Sequence, residues 1–311
     1  MSQPPALLRT KLIASVVQYE DNRPMEVTTD FPRVNTDELC KVHTFNGVGV
    51  ERGPVMKSEL KAVLEYIKMM APEGSNLKKT IKSDFVTTAS TLAQIAKAIE
   101  CKSSAIHAVA VKRNDVIFLV VRKQEEKEKE MSEEEREGIQ FKKLLTVHVQ
   151  GEMWSEKPAR FFKNIMMARI FDEESNGIFY SADFDIVDKD GRFAKIQNRC
   201  SFSWYWKNFT AFIWYARGIL GNVSKTYYLD EVSDEGRRIR SISTAYIPTA
   251  VQHTWSRKQF VNSLSQFLNT IKMEITEEDK PIQYYFDLDL IKPIPAIEVD
   301  FLPESFVDYF V

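Results

Sequence analysis

The sequence predicts a mixed α/β fold with central mixed β-sheets and surrounding helices, because helical periodicities and β-rich hairpins alternate along the chain. Phe260, Val261, Leu264, Phe267, Leu268 and Ile271 form one apolar stripe at helical spacing. Residues 105–111 and 116–121 are two apolar, β-rich runs around the polar turn Arg113-Asn-Asp115. With 44% hydrophobic residues and 20 Phe among 311 positions, the chain has enough apolar material for one large domain spanning 1–311.

Residues 1–9 read as a loose tail and 12–17 as a first strand. Residues 20–55 are rich in turn formers. The segment Gly47-Val-Gly-Val-Glu-Arg-Gly53 lacks both the dinucleotide fingerprint spacing and the Lys-Ser/Thr ending of a P-loop, so it reads as a loop or bulge. A helix is expected over 56–70, with Leu60, Val63, Leu64 and Ile67 on one face, and another over 88–99. The hairpin that follows is apolar on both faces and should be central and covered on both sides.

Residues 123–137 form a charge block, a solvated linker or helix start. Ser132 and Glu135 fit a capping box for a helix over 133–145. Gly138 inside that helix costs roughly 1 kcal/mol relative to alanine, which points to a close approach there. Residues 159–167 read as helical. Strands over 178–187 and 192–199 are joined by the turn signal Asp188-Lys-Asp190-Gly191. The aromatic stretch 202–215 reads as a helix against the sheet, either core or a wall beside single-stranded nucleic acid. A strand pair over 225–230 and 238–245 precedes the helix over 257–273, which has Ser256 and Gln259 as capping box and Trp255 with Phe260 as hydrophobic staple. Residues 275–311 read as an acidic C-terminal wrap with short strands.

The net charge of −2 argues against a duplex-DNA binder acting through its whole field, but leaves room for a local basic groove. Cys40, Cys101 and Cys200 form neither a disulfide framework nor a zinc pattern and read as buried small hydrophobes. His43, His107, His148 and His253 are scattered and complete no triad or zinc motif. Without a signal peptide or a membrane-length apolar run, the expected location is intracellular, nucleus or cytoplasm.

The chemistry concentrates in Ser181-Ala-Asp183-Phe-Asp185 and Phe193-Ala-Lys195-Ile-Gln197. On a strand, Asp183 and Asp185 share a face about 6.6 Å apart, as do Lys195 and Gln197. Acids on one strand followed by polar groups on the next is the layout of many Mg²⁺-dependent nucleases, and also of ordinary solvated edges.

These strands, together with Gly138-Ile-Gln-Phe-Lys142 and the helix carrying Trp204, Trp206, Lys207 and Asn208, resemble the decapping exoribonuclease family (DXO and its Rai-like relatives) over roughly residues 10–275. The resemblance implies a core related to restriction-type metal-dependent nucleases and, in active members, removal of incomplete RNA caps, including NAD caps, and 5′–3′ RNA degradation. It implies divalent metal at the centre. It also implies that some members stabilise another exoribonuclease.

Carried over position by position, the resemblance shows a degraded site. Lys142 stands where the family has a metal-site glutamate. Asp183 and Asp185 retain two acids. Lys195 replaces a ligand acid and Gln197 the catalytic lysine. Ala89 falls near an early arginine, and Ser243 where a strand carries lysine. Asn208, two residues after Trp206, stands near an RNA-touching glutamine. The family's four carboxylates become two carboxylates and two lysines, about neutral, so attraction for Mg²⁺ largely disappears.

The readings left are an internal ion-pair cluster, a metal-free phosphate pocket, or residual catalysis with Mg²⁺ or Mn²⁺ at Asp183 and Asp185. No other cofactor, zinc or membrane association is expected. RNA-binding candidates are Trp206, Asn208, Lys142, Lys143 and Lys195, with Lys157, Arg160, Lys163 and Arg169 adding positive charge. The leading function is a catalytically impaired, decapping-nuclease-like protein that binds RNA 5′ ends or a protein partner in RNA metabolism. The alternatives are an active hydrolase of NAD-capped or incompletely capped RNA, and a non-catalytic scaffold for an exoribonuclease.

Overall fold

A computed structural model describes residues 7–19, 24–45, 60–101, 106–122, 130–147, 160–171, 175–199, 203–233, 236–251, 255–287, 290–295 and 301–311. The Gly47–Gly53 segment, residues 123–129 of the charge block, Lys157, His148, Cys200 and His253 lie outside them.

In chain order the first strands are β1 (Leu7–Tyr19), β2 (Glu26–Val27), β3 (Arg33–Val34), β4 (Val42–His43), β5 (Phe85–Thr88), β6 (Ile106–Arg113), β7 (Val116–Arg122) and β8 (Thr146–Val147). They are followed by β9 (Arg160–Phe171), β10 (Asn176–Asp183), β11 (Ile186–Val187), β12 (Phe193–Arg199), β13 (Lys225–Ser233), β14 (Gly236–Ser243), β15 (Ile282–Asp287) and β16 (Leu290–Pro295). The helices are α1 (Lys61–Met70), α2 (Leu77–Ile81), α3 (Ala89–Cys101), α4 (Glu133–Leu145), α5 (Ala211–Gly221), α6 (Ile247–Ala250), α7 (Arg257–Glu274) and α8 (Glu304–Val307).

The strands form two sheets. One runs β16-β15-β6-β7-β5-β10-β9-β1-β2 and the other β4-β14-β13-β12-β11-β3-β8. Both are mixed: β5 is parallel to β7 and β10, and β12 to β13, while most other pairs are antiparallel. The expected hairpin is β6–β7, and both of its faces are covered. Ala108, Ala110, Ile117 and Leu119 join a core with Leu92, Phe212 and Leu264 from α3, α5 and α7. Val109, Val111, Val116 and Phe118 face the other way, toward Leu64 of α1 and the C-terminal Phe306 and Phe310. The acidic C-terminal segment thus adds the edge hairpin β15–β16 and returns two rings to the core. On the second sheet, Phe141 and Leu145 of α4 pack on Ala194 and Ile196. No helix among the described residues is long and apolar enough to cross a membrane.

Local signals explain the helix ends. Ser132 and Glu135 close the reciprocal capping box of α4. Ser256 accepts from the Gln259 N–H at the start of α7, and Trp255 and Phe260 both pack against Phe212 and Tyr215. Gly138 does mark a close approach, since a Cβ there would stand 3.3 Å from Asn198 on β12.

Four expectations are corrected. Residues 159–167 are not helical: β9 is a strand pairing with β1 along its whole length and with β10 on its other side. Its residues are buried on both faces, Met166, Ala168 and Ile170 on one and Ile165 on the other. The period-2 alternation that identifies a half-exposed strand is therefore missing. β1 begins at Leu7, taking in residues 7–9 of the expected tail. The strand expected over 178–187 breaks after Asp183, and β10 and β11 belong to different sheets. Cys40 is exposed and Cys101 half-buried, so neither is a fully buried hydrophobe.

Gly218 supplies a test of the packing between α5 and the second sheet. A Cβ there would lie 2.5 Å from Cγ2 of Thr244, which is buried and anchored by a 2.7 Å hydrogen bond to the Val223 carbonyl. Gly218→Ala is expected to lose about 1–3 kcal/mol despite its better helix propensity. Urea denaturation measures this, and unchanged or increased stability would show that Thr244 yields.

Candidate functional site

The site forms where the chain passes from one sheet to the other. β10 stays paired with β9 as far as Asp183, which stands opposite Lys163. The Phe184 N–H donates to the Phe162 carbonyl at 3.4 Å, and the next N–H, of Asp185, donates to Ala194 of β12 at 3.0 Å. Two consecutive residues thus bond to different sheets. Phe184 pins the crossing, buried with its ring 4.5 Å from Phe193, 5.4 Å from Phe31 and 6.1 Å from Phe162. The turn beyond it is equally determined. Asp188 accepts from the N–H groups of Asp190 and Arg192 at 2.9 Å each and pairs with Lys225 at 2.9 Å.

Asp183 and Asp185 consequently do not share the face of one continuous strand. Asp185 turns toward α4 and β12. Its Oδ1 accepts from Lys142 Nζ at 3.2 Å, its Oδ2 accepts from the Ile196 N–H at 2.9 Å, and Lys195 Nζ lies 3.5 Å from Oδ2. Burial works to raise its pKa, but Lys142, Lys195 and the Ile196 N–H outweigh burial and hold it below the usual carboxylate range. Asp183 turns toward β9, with Oδ1 2.8 Å from Lys163 Nζ. Although crowded by protein on its inner side, it keeps 53% of its side-chain surface open to solvent, whereas Lys163 keeps 7%. For Asp183 too, burial acts upward, and Lys163, Lys195 and Arg217 bring the net shift downward.

The surrounding elements are locked in place. Glu137, buried on α4, meets Arg237 of β14 at 3.4 Å and fixes the helix that carries Lys142. On the other side, Asn164 donates to the Gly221 carbonyl at 3.2 Å and accepts from Ser15, while the Tyr180 hydroxyl donates to the Leu220 carbonyl at 2.8 Å. These bonds set the carbonyl end of α5, with its partial negative charge, against the Asp183 strand end.

Of the sequence-predicted residues, the structure brings together Lys142, Asp183, Asp185 and Lys195. Gln197 lies on the same strand face as Lys195. Lys143 is exposed on α4 beside Lys142. Asn208 donates to the Trp204 carbonyl at 2.6 Å. Trp206, expected to face RNA, is instead buried, edge-on to Trp214 at 5.4 Å, so no base can stack on it without opening the core. Arg169 is exposed on β9, two residues from the chain's turn into β10 and away from Asp183, opposite Gly177 in the ladder.

Two site residues were missed. Lys163 was counted only as diffuse positive charge because its strand read as a helix. Its position opposite Asp183 requires the β9–β10 register. Arg217 donates to Ser90 Oγ at 2.9 Å, beside Ala89, and its charge reaches Asp183. As the one charged side chain of the apolar helix α5, it carried a readable signal.

The donor set does not fit a divalent metal. Both carboxylates already have ammonium partners, and three lysines against two carboxylates leave the cluster one unit positive. Mg²⁺ and Mn²⁺ need a surplus of anionic oxygen. No group of three or more His, Cys, Asp or Glu side chains among the described residues is placed to hold a metal ion.

No family model matches the chain. It is 27% identical over 278 residues to the decapping nuclease dom-3 of Caenorhabditis elegans, covering 80% of this chain and 70% of that protein. Its fold superposes on Rai1 of Scheffersomyces stipitis with a TM-score of 0.70, at 12% identity over 99% of both chains. For S. pombe Rai1 in complex with 3′-FADP the TM-score is 0.69, at 12% identity over 94% of this chain and 96% of that one. Candida albicans Rai1 in complex with pU5 and Mn²⁺ gives 0.68, at 10% identity over 99% and 96%. The chain thus resembles the decapping nucleases, with a mixed α/β fold like that of the Rai1 structures and, among the described residues, no carboxylate set placed for a metal.

Removing the Asp185 charge takes from Lys142 and Lys195 the carboxylate they share and leaves only Asp183 acting on Lys195. Asp185→Asn is expected to cost about 1–3 kcal/mol at neutral pH. Because folding depresses the Asp185 pKa, its contribution is complete above the unfolded value of about 3.9 and fades as pH falls through the lower folded value. Urea midpoints of wild type and variant should therefore converge below about pH 4. A difference that persists undiminished at low pH would rule out the ion-pair origin.

Proposed function

We propose that this chain is a decapping-nuclease-like protein in which lysines have replaced metal-dependent catalysis, and that the lysine cluster binds the phosphorylated 5′ end of RNA. The single observation that carries this reading is the net positive cluster of Lys142, Lys163 and Lys195 around Asp183 and Asp185, at the crossing between the two sheets. A nuclease centre built for metal is anionic until metal binds, and it repels phosphate. A centre whose carboxylates are neutralised by internal ammonium groups attracts phosphate directly.

The lysines divide the work by exposure. Lys163, almost fully buried, acts as a fixed counter-ion that positions Asp183. Lys142, with 39% of its side chain exposed, and Lys195, with 20%, have donors left for a phosphate oxygen. Lys143 adds a further exposed cation one residue along. Gln197 supplies an amide on the Lys195 side. The resemblance to a decapping nuclease supports RNA as the ligand, and the C. albicans relative supplies a matched probe, 5′-phosphorylated oligouridine.

Binding of this probe is expected without added metal, with affinity falling steeply as salt rises. Three phosphate contacts to a single strand would give a log–log slope of about −2. Lys142→Ala and Lys195→Ala should each weaken binding roughly tenfold, corresponding to about 1.4 kcal/mol for one charge-assisted contact. A 5′-hydroxyl oligouridine should bind as weakly as these variants bind the phosphorylated probe. Metal-dependent shortening of the phosphorylated RNA, or hydrolysis of an NAD-capped RNA, would instead establish the active hydrolase reading. Salt-independent failure to bind any 5′-phosphorylated or NAD-capped RNA would leave the reading as a scaffold for another exoribonuclease.

A further inference from the structure

The turn that leads into α5 displays aromatic rings to solvent. Trp204 is 71% exposed and Tyr205 61% exposed. Between them stands Phe209, with its ring centroid 5.5 Å from Trp204 and 5.1 Å from Tyr205. This is not a frayed end. Trp206 is buried as a keystone on the opposite side, its N–H accepted by Ser203 Oγ at 3.2 Å, and Asn208 ties the turn to the Trp204 carbonyl. Residues 206–210 form a π-helical turn rather than an α-helical one. The wider winding sends Trp206 inward while its aromatic neighbours face outward.

Charge surrounds these rings. Lys97, from the facing helix α3, places Nζ 5.6 Å from the Phe209 centroid. Burial lowers its pKa, and Arg217 works in the same direction against the influence of Cys101. Lys207 is exposed on the same turn. Cations among outward aromatic rings, on a chain of net charge −2, are a local reversal of the average.

We infer that Trp204, Tyr205 and Phe209, with Lys97 and Lys207, form a base-stacking platform for single-stranded RNA, separate from the lysine cluster that takes the 5′ phosphate. Rings receive nucleobases of any identity, and the two lysines compensate the backbone phosphates. An apolar protein partner would need no such cations.

The packed pair α3–α5 links the two sites. At one end of the α3–α5 pair, Arg217 bonds Ser90 and its charge reaches Asp183, while at the other Lys97 covers Phe209. The seven helical steps from Ser90 to Lys97 span about 10 Å, roughly three stacked nucleotides at about 3.4 Å each. An RNA with its 5′ phosphate at the lysine cluster would therefore have to extend at least about three nucleotides to reach the rings. The platform rests on the proposed binding of RNA, but its residues and its length dependence are its own.

Fluorescence anisotropy with 3′-labelled, 5′-phosphorylated oligouridines of one to six nucleotides tests it. For the wild type, affinity should rise about tenfold or more between the two- and five-nucleotide probes, with one base stacked. The surface variant W204A/Y205A should keep its thermal midpoint and its affinity for the two-nucleotide probe but lose the increase. A variant that binds the five-nucleotide probe as the wild type does would overturn the platform while leaving 5′-end binding intact. Conversely, length-dependent binding of 5′-hydroxyl oligouridine that is abolished by W204A/Y205A and untouched by Lys142→Ala would support the platform and overturn 5′-end recognition. A wild-type protein that self-associates and becomes monomeric in W204A/Y205A, with RNA binding unchanged, would reassign the rings to contact between copies and overturn the proposal.

Discussion

The carboxylate of Asp185 is the constraint on which the arrangement of the site depends. It accepts from a helix lysine, from a strand N–H and lies against a strand lysine, and so joins α4 to β12 where the chain changes sheets. The residue before it is bonded to one sheet and Asp185 itself to the other, so its side chain has almost no positional freedom. A carboxylate that is mostly buried is tolerated only with such partners. Each partner is fixed in turn, Lys142 through the Glu137–Arg237 pair and Lys195 through the parallel pairing of β12 with β13.

The same geometry explains why the site cannot simply be described as a nuclease centre with ligands deleted. Neutral side chains in place of Lys142, Lys163 and Lys195 would leave two carboxylates repelling one another and attractive to cations. Lysines give them internal partners and reverse the sign of the field. The structural demand for positive charge, met in a metal enzyme by the ion, is met here by ammonium groups on three different elements. The exposed side of that cluster is the side proposed to take the RNA phosphate.

The aromatic residues around α5 serve two different surroundings, core and solvent. Sequence alone gives no reason to treat Trp204, Trp206, Phe209 and Trp214 differently. The π turn separates them, with Trp206 and Trp214 meeting in the core while Trp204 stays outside. The buried Trp206 anchors the turn that holds Trp204 outside.

What the sequence determined by itself was the set of elements with strong local signals and which charged residues stand on the strands that meet at the site. The α4 capping box, the doubly covered β6–β7 hairpin and the close approach at Gly138 were legible from caps and periodicity, and an ion-pair cluster of lysines with the aspartates, seen here as Lys142 and Lys195 against Asp185, was one of three readings that the resemblance left open. Only the tertiary structure decided that 160–171 is a strand, because a segment buried on both faces shows no alternation for periodicity to detect. With that strand came Lys163, which reaches Asp183 through a ladder register between residues twenty positions apart in sequence. The break after Asp183 was equally hidden. Whether a polar–apolar run continues in one sheet or crosses to another depends on which neighbours complete its backbone hydrogen bonds, and those neighbours lie far away in the chain.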